Sequence, residues 1–155
     1  MPAGNVTLVT VAPRPTAVVA QTTTWEAFPT LWPQLLDEVY AVVRSSKELA
    51  TVDGGTPKWQ NVMLYKDAQP AVEVGVLAPR RFEAGGRVIP SHLPGGRTAT
   101  AIHRGDYAQL GSTHDAVRHF VEAQGLALAG PRWEIYGHWR DDPNELETEV
   151  YYLLR

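Results

Sequence analysis

The chain of 155 residues contains no cysteine, which excludes disulfide bonds, thiol catalysis and thiolate metal sites. Its apolar runs are far shorter than the roughly 20 residues that a membrane-spanning helix needs. The first residues lack the basic and apolar regions of a signal peptide, so we expect a cytoplasmic protein. No run of basic residues occurs and the net charge is −3, so we expect no direct nucleic-acid partner and no membrane partner.

Glycine and proline, by contrast, are frequent. The 13 glycines and 12 prolines fall mainly at the junctions between apolar segments, which is typical of a protein with many short strands. Hydrophobic residues make up 44% of the chain and charged residues 20%, which are values of a globular protein. The length therefore predicts a single domain over residues 1–155, large enough to bury a full core.

Two amphipathic helices are predicted among strand-like segments. The first is expected from Thr30, as N-cap, to about Ser46, with Pro33 in its first turn. The second follows Asp106 as N-cap and stops at Gly125. Alternating β-type patterns predict eight strands, at residues 6–11, 16–21, 60–66, 71–77, 87–92, 97–103, 130–136 and 147–154.

The order strand, strand, helix, strand, strand therefore occurs twice, in halves of roughly residues 5–78 and 86–155. A short shared signature, PKW at residues 57–59 and PRW at 131–133, precedes the same strand in each half and favours an internal duplication. Two such halves would join their strands into one antiparallel sheet. The expected fold class is α+β, with both helices on one face of the sheet and a ligand groove on the other.

Acidic and aromatic residues share one face of each of the last two strands. By period-two alternation, Glu134 lies beside Tyr136, and Glu149 lies beside Tyr151. A carboxylate beside ring faces suits a flat organic cation, because the carboxylate neutralises the charge and the rings attract it. The alternative is an ordinary solvated sheet face. Trp133, which points the other way, is expected to pack under the helices together with its neighbour Ile135.

The remaining polar residues indicate neither a metal nor a serine hydrolase. His103, His114 and His119 have no firm ligand spacing, and no Gly-x-Ser-x-Gly elbow occurs. We therefore expect no metal and no cofactor. Glu134 and Glu149, on neighbouring strands, could raise each other's pKa and act as acid or base. Binding and catalysis both stay open at this point.

Several dispersed segments carry a family resemblance that covers nearly the whole chain. They are TLWPQLL at residues 30–36, NVMLYKD at 61–67, LPGGR at 93–97, HRGDY at 103–107, GPRWEIY at 130–136 and TEVY at 148–151. In this order they resemble the GyrI-like small-molecule-binding domain. The same module forms the effector-binding part of some bacterial multidrug-responsive transcription activators. The resemblance implies the duplicated α+β fold.

The resemblance also implies a groove between the two halves that binds lipophilic, often cationic aromatic compounds. By position, Glu134 matches the buried carboxylate at the floor of that groove. The other residues matched to the groove are Tyr136, Glu149, Tyr151, Tyr65, Trp32 and Tyr107.

Three functions are compatible with this resemblance. The leading one is a stand-alone binding module that sequesters aromatic cations or senses an effector and passes a signal to a protein partner. The second is a metal-independent hydrolase of cyclopropane-bearing alkylating natural products, with Glu134 or Glu149 as general base. The third is a protein–protein adaptor whose groove is incidental. The helix-turn-helix of the transcription activators has no counterpart here, so direct regulation of DNA is not implied.

Overall fold

The computed structural model describes residues 6–45, 59–67, 70–78, 86–137 and 141–155. The strands are β1 Thr7–Val11, β2 Arg14–Thr22, β3 Asn61–Tyr65, β4 Ala71–Leu77, β5 Val88–Leu93, β6 Gly96–Arg104, β7 Leu128–Tyr136 and β8 Glu147–Leu154. The helices are α1 Phe28–Ser45 and α2 Leu110–Ala123. Short 3-10 turns occupy Tyr107–Gln109 and Pro143–Glu145.

All eight strands form one antiparallel sheet in the order β1-β6-β8-β7-β3-β4-β2-β5. The two halves of the chain meet in the middle of the sheet, where β3 pairs with β7. Each half also places its first strand beside the other half, since β1 pairs with β6 and β5 pairs with β2. Met63 opposes Glu134, which in turn opposes Val150, so these three side chains share a face. Met63 packs in the cluster under α1 and Val150 in the cluster under α2. Both helices therefore cover the same face, and the predicted α+β class is confirmed.

Helix α1 begins two residues before the predicted N-cap. The Oγ1 of Thr24 accepts a hydrogen bond from Ala27 N at 3.1 Å, and the helix starts at Phe28. Pro33 consequently lies one turn inside the helix, where its missing N–H leaves the carbonyl of Pro29 without its helical donor. The predicted end at residue 46 lies outside the described residues.

Helix α2 is anchored by the turn that precedes it. Asp106 caps that turn by accepting a hydrogen bond from Ala108 N at 2.9 Å. The buried His103 ring on β6 bonds Thr113 Oγ1 at 2.7 Å through one nitrogen and the Asp106 carbonyl at 2.8 Å through the other. Gly125, with φ +68°, follows the C-terminus as predicted.

The face opposite the helices is also buried, because the sheet curls around it. The chain crosses between the sheet edges twice, from β1 to β2 and from β5 to β6. These connections touch, since a Cβ added to Gly95 would lie 2.5 Å from Pro13. Behind them Trp133 and Ile135 are 2% and 1% exposed. Their predicted burial is confirmed, but their predicted face is wrong, because they pack away from the helices with Leu93 and its neighbours.

The same curled face buries Glu73. Its residue is 5% exposed and its carboxylate pairs with Lys66. Among the described residues, no helix has the length and apolar character needed to cross a membrane.

Candidate functional site

A cavity of about 530 Å³ lies on the helix side of the sheet, where β3 meets β7. It is lined from α1 and its start, from the strands, and from the turn and first residue of α2. The lining residues are Phe28, Trp32, Tyr40, Trp59, Asn61, Met63, Tyr65, Tyr107, Leu110, Glu134, Tyr136 and Gly137. The predicted groove on the face without helices is therefore wrong. The two helices cover separate halves of the sheet and leave the middle open between them.

Glu134 lies at the floor of this cavity and is 4% exposed. Its Oε1 accepts hydrogen bonds from the hydroxyls of Tyr65 at 2.9 Å and Tyr136 at 2.8 Å. Its Oε2 lies 2.6 Å from Nε2 of His114. Both oxygens are thus engaged by groups of the protein that carry no permanent positive charge.

His114 connects the floor carboxylate to the protein surface. Its Nδ1 lies 2.7 Å from the hydroxyl of Tyr152, which also accepts a hydrogen bond from Nη1 of Arg118 at 2.8 Å. Arg118 pairs in turn with the exposed Asp115. An arginine only donates, so the Tyr152 proton is free to point at His114 Nδ1. That arrangement leaves Nε2–H as the donor to Glu134.

The two tyrosines on Glu134 remain protonated at physiological pH. Burial raises the pKa of Tyr65, and the neighbouring Glu134 carboxylate raises it further. The pKa of Tyr136 is raised well above its ordinary value by the same two causes, with burial again the larger. Burial also raises the pKa of Tyr40 and of Tyr107. The tyrosine hydroxyls therefore act as neutral donors.

Ring contacts hold the aromatic walls in place. Tyr65 meets Phe28 at a centroid distance of 5.7 Å and Trp25 at 5.5 Å. Tyr107 meets Tyr136 edge-on at 5.5 Å. The cavity thus combines one buried carboxylate with several ring faces.

Five of the residues predicted for the groove come together in this cavity, namely Glu134, Tyr136, Tyr65, Trp32 and Tyr107.

The predicted placement of Glu149 and Tyr151 in the same groove is wrong. Glu149 opposes Ile135 and Tyr151 opposes Trp133, so both side chains lie on the curled face. There the Tyr151 hydroxyl donates to Glu149 at 2.6 Å, and its ring stacks on Trp133 at 5.5 Å. Glu134 and Glu149 consequently cannot act as a carboxylate pair.

The contact of His114 with Glu134 was not predicted from the sequence. A signal was present, because Leu110, His114, Val117 and Val121 follow the spacing i, i+4, i+7 and i+11 of one helix face. Within the described ranges, no group of three histidine or acidic side chains is arranged to hold a metal ion.

Comparison with known proteins agrees with this architecture. The sequence profile of the GyrI-like small molecule binding domain matches residues 4–155. The chain belongs to the GyrI-like family. No curated protein sequence matches it significantly.

Several solved structures share this GyrI-like fold. The C-terminal domain of EcmrR has a TM-score of 0.76 and 18% identity, with 97% of both chains covered. In the EcmrR–DNA complex the chain covers 57% of EcmrR, with a TM-score of 0.71 and 20% identity. SAV2435, whose structure holds tetraphenylphosphonium, has a TM-score of 0.69 and 11% identity, with 97% and 94% covered. A hydrolase from Listeria innocua has a TM-score of 0.62 and 14% identity, with 100% and 94% covered.

Proposed function

We propose that this GyrI-like domain binds lipophilic aromatic cations in the cavity between its helices, with Glu134 as the counter-charge. The observation that carries the proposal is a carboxylate that is 4% exposed at the floor of an aromatic cavity. A buried charge is costly unless it is compensated. Here the three nearest donors, Tyr65, Tyr136 and His114, satisfy the hydrogen-bonding capacity of Glu134 without supplying a permanent positive charge.

This arrangement favours cations that carry no hydrogen-bond donors. Both Glu134 oxygens are already engaged, so a ligand gains little from N–H groups and more from a delocalised charge over ring faces. The cavity of about 530 Å³ falls within the range of small-molecule pockets. The tetraphenylphosphonium bound by SAV2435 belongs to this chemical class.

Fluorescence or calorimetric titration with tetraphenylphosphonium tests the proposal. We expect Glu134→Gln to weaken binding about ten- to a hundredfold, since losing a charged contact costs roughly 1.5–3 kcal/mol. Glu149→Gln is the matched control, because it removes the same charge from the opposite face of the sheet. Its affinity should equal that of the wild type. Equal binding by Glu134→Gln would disprove the assignment.

In the cell, such binding would serve to sequester toxic compounds in the cytoplasm or to pass a signal to a protein partner. A dose-dependent rise in tetraphenylphosphonium tolerance on expression of the wild-type protein, lost with Glu134→Gln, would support sequestration. An unchanged tolerance with intact binding in vitro would favour signalling.

A second candidate is metal-independent hydrolysis of cyclopropane-bearing alkylating compounds. The observation that favours it is the Glu134 carboxylate at the cavity floor, which lies 2.6 Å from His114 and is a candidate general base. The similar Listeria innocua protein is itself called a hydrolase. Mass spectrometry after incubation with such a compound, with and without EDTA, would show product carrying one added water, lost in Glu134→Gln. Recovery of unchanged ligand favours binding alone, and no engagement favours an adaptor.

A further inference from the structure

The contact between His114 and Glu134 is the closest that any group makes to the floor carboxylate. Nε2 and Oε2 are 2.6 Å apart, and the two side chains are 12% and 5% exposed. Among the described residues, His114 is the only ionisable base within ion-pair distance of Glu134. A histidine changes its charge between about pH 5 and 8. The net charge of the His114–Glu134 pair is therefore −1 when the imidazole is neutral and zero when it is protonated.

The neutral form of His114 fits the hydrogen-bond chain completely. Arg118 donates to the Tyr152 oxygen, the Tyr152 proton goes to Nδ1, and Nε2–H goes to Glu134. In the doubly protonated form Nδ1–H would also point at the Tyr152 oxygen. That oxygen would then accept from two cations, and the Tyr152 proton would need another acceptor.

We propose that His114 determines the charge of the ligand that the groove accepts. Neutral His114 leaves the negative charge of Glu134 for a cationic ligand. Protonated His114 forms a neutral ion pair with Glu134, so a cation must compete with an internal charge and an uncharged aromatic compound is admitted instead. Cation binding and protonation of His114 therefore oppose each other. This inference rests on the proposed function, because it concerns the same cavity.

The phenols packed around His114 do not change charge between about pH 5 and 8. Tyr65 on β3, Tyr136 on β7 and Tyr152 on β8 all have a pKa raised by burial.

The charged neighbours lie along α2 and β7. Asp115 and Arg118 pair with each other on α2, and the guanidinium of Arg132 on β7 lies over the rings of Tyr65 and Trp25. His103, on β6, is directed at Thr113 and Asp106.

The decisive experiment measures tetraphenylphosphonium affinity from about pH 5.5 to 8.5 in the wild type and in His114→Gln. If His114 must lose its proton, each pH unit below its titration midpoint costs about tenfold. We therefore expect wild-type affinity to fall as the pH is lowered across the interval. Glutamine can donate an N–H to Glu134 without a charge, so the variant should bind well with a flat pH profile. A matching fall in His114→Gln, or a flat wild-type profile, would overturn the inference.

An uncharged probe should show the opposite dependence of affinity on pH. Triphenylphosphine oxide carries similar rings without a net charge, and its wild-type affinity should hold or rise as the pH falls. A parallel loss of both probes at low pH would contradict the inference, because it would report unfolding of the groove rather than charge selection. Calorimetry in buffers of different ionisation enthalpy should also show proton release on phosphonium binding near neutral pH. If neither probe binds at any pH, the proposed function itself fails, and this inference with it.

Discussion

Two carboxylates are buried among the described residues, and the protein compensates them in different ways. Glu73, on the curled face, accepts a hydrogen bond from Ser91 Oγ at 2.6 Å and lies 2.5 Å from Lys66 Nζ. Glu134, on the helix side, is held by two phenols and one imidazole. Both residues are at most 5% exposed.

The difference separates a carboxylate in direct contact with a permanent cation from one whose direct partners are phenols and an imidazole. A buried carboxylate that pairs with a lysine is neutralised within the protein. Removing the lysine leaves an uncompensated buried charge, which destabilises the fold. A buried charge that is held by neutral donors and a titratable ring keeps an electrostatic attraction for a cation from outside. Burial alone thus does not distinguish the two carboxylates, whereas the nature of the donors around each one does.

The largest expected effect follows from breaking the pair at Glu73. Lys66→Met should lower the free energy of unfolding by about 2–3 kcal/mol at neutral pH, because it leaves a buried carboxylate without its cation. Lys66 is 45% exposed, which keeps the loss below that of a fully buried pair. Urea denaturation measures the change, and tetraphenylphosphonium affinity should stay within about twofold.

Two further variants control for this effect. Arg104→Met breaks the exposed pair with Glu147 and should cost less than about 1 kcal/mol. The double variant Lys66→Met with Glu73→Met should recover most of the stability, since an apolar pair can replace a buried ion pair. A double variant as unstable as the single one would show that Lys66 acts through packing rather than charge.

The next effect is a loss of stability at high pH, and it arises from Tyr136, which donates a hydrogen bond to Glu134. Because the pKa of Tyr136 is raised in the folded state, the unfolded chain loses this proton first. Its contribution to stability is therefore present below about pH 10 and declines as the pH rises further, by about 1.4 kcal/mol per unit. Between about pH 9 and 11 the wild type should thus lose about 1–2 kcal/mol more than Tyr136→Phe.

The matched control lies on the other carboxylate. Ser91→Ala removes a donor from Glu73 that does not titrate in this range, so it should lower stability equally at both pH values. Urea denaturation at the two pH values provides the comparison. Identical losses in the wild type and in Tyr136→Phe would refute this account of the phenol.

Two tyrosines on opposite faces give a smaller contrast in ligand affinity. Tyr107→Ala removes a ring from the cavity wall and should weaken tetraphenylphosphonium binding by roughly 0.5–2 kcal/mol. Tyr151→Ala removes a ring from the curled face, where it stacks on Trp133, and should leave affinity unchanged. Calorimetry on both variants decides the matter. A loss with Tyr151→Ala alone would place the ligand on the curled face.

Much of this fold could be predicted from the sequence, because its information is local. Alternation, helical spacing and turn residues placed the strands and helices to within a few residues of their observed bounds. The side of the sheet that holds the groove, and the side to which Glu149 and Tyr151 point, were not predicted correctly, since the pairing register is not a local property. Glu134 opposes Val150, whereas Glu149 opposes Ile135, so Glu134 and Glu149 lie on opposite faces of the sheet.

The candidate site was likewise predictable only where its information is local. Residues within one motif, such as Glu134 and Tyr136, could be predicted together because alternation puts them on one face. The partnership of Glu134 with His114 joins a strand to a helix and depends on how α2 packs on the sheet. The spacing of apolar residues predicts which face of α2 holds His114, but it does not predict that His114 contacts Glu134.

The smallest expected effect concerns the cation that the protein already holds near its aromatic wall. The Arg132 guanidinium lies 5.1 Å from the ring centre of Tyr65 and 5.3 Å from that of Trp25, on the same strand face as Glu134. A ligand cation meets this like charge and competes for the face of Tyr65. Arg132→Met should therefore strengthen tetraphenylphosphonium binding by roughly 0.5–1 kcal/mol. Arg104→Met changes the net charge equally at a distant, exposed position and should have no such effect. Weaker binding by Arg132→Met would show that the guanidinium supports the wall by holding Tyr65 in place, and that this support outweighs the repulsion between Arg132 and the ligand cation.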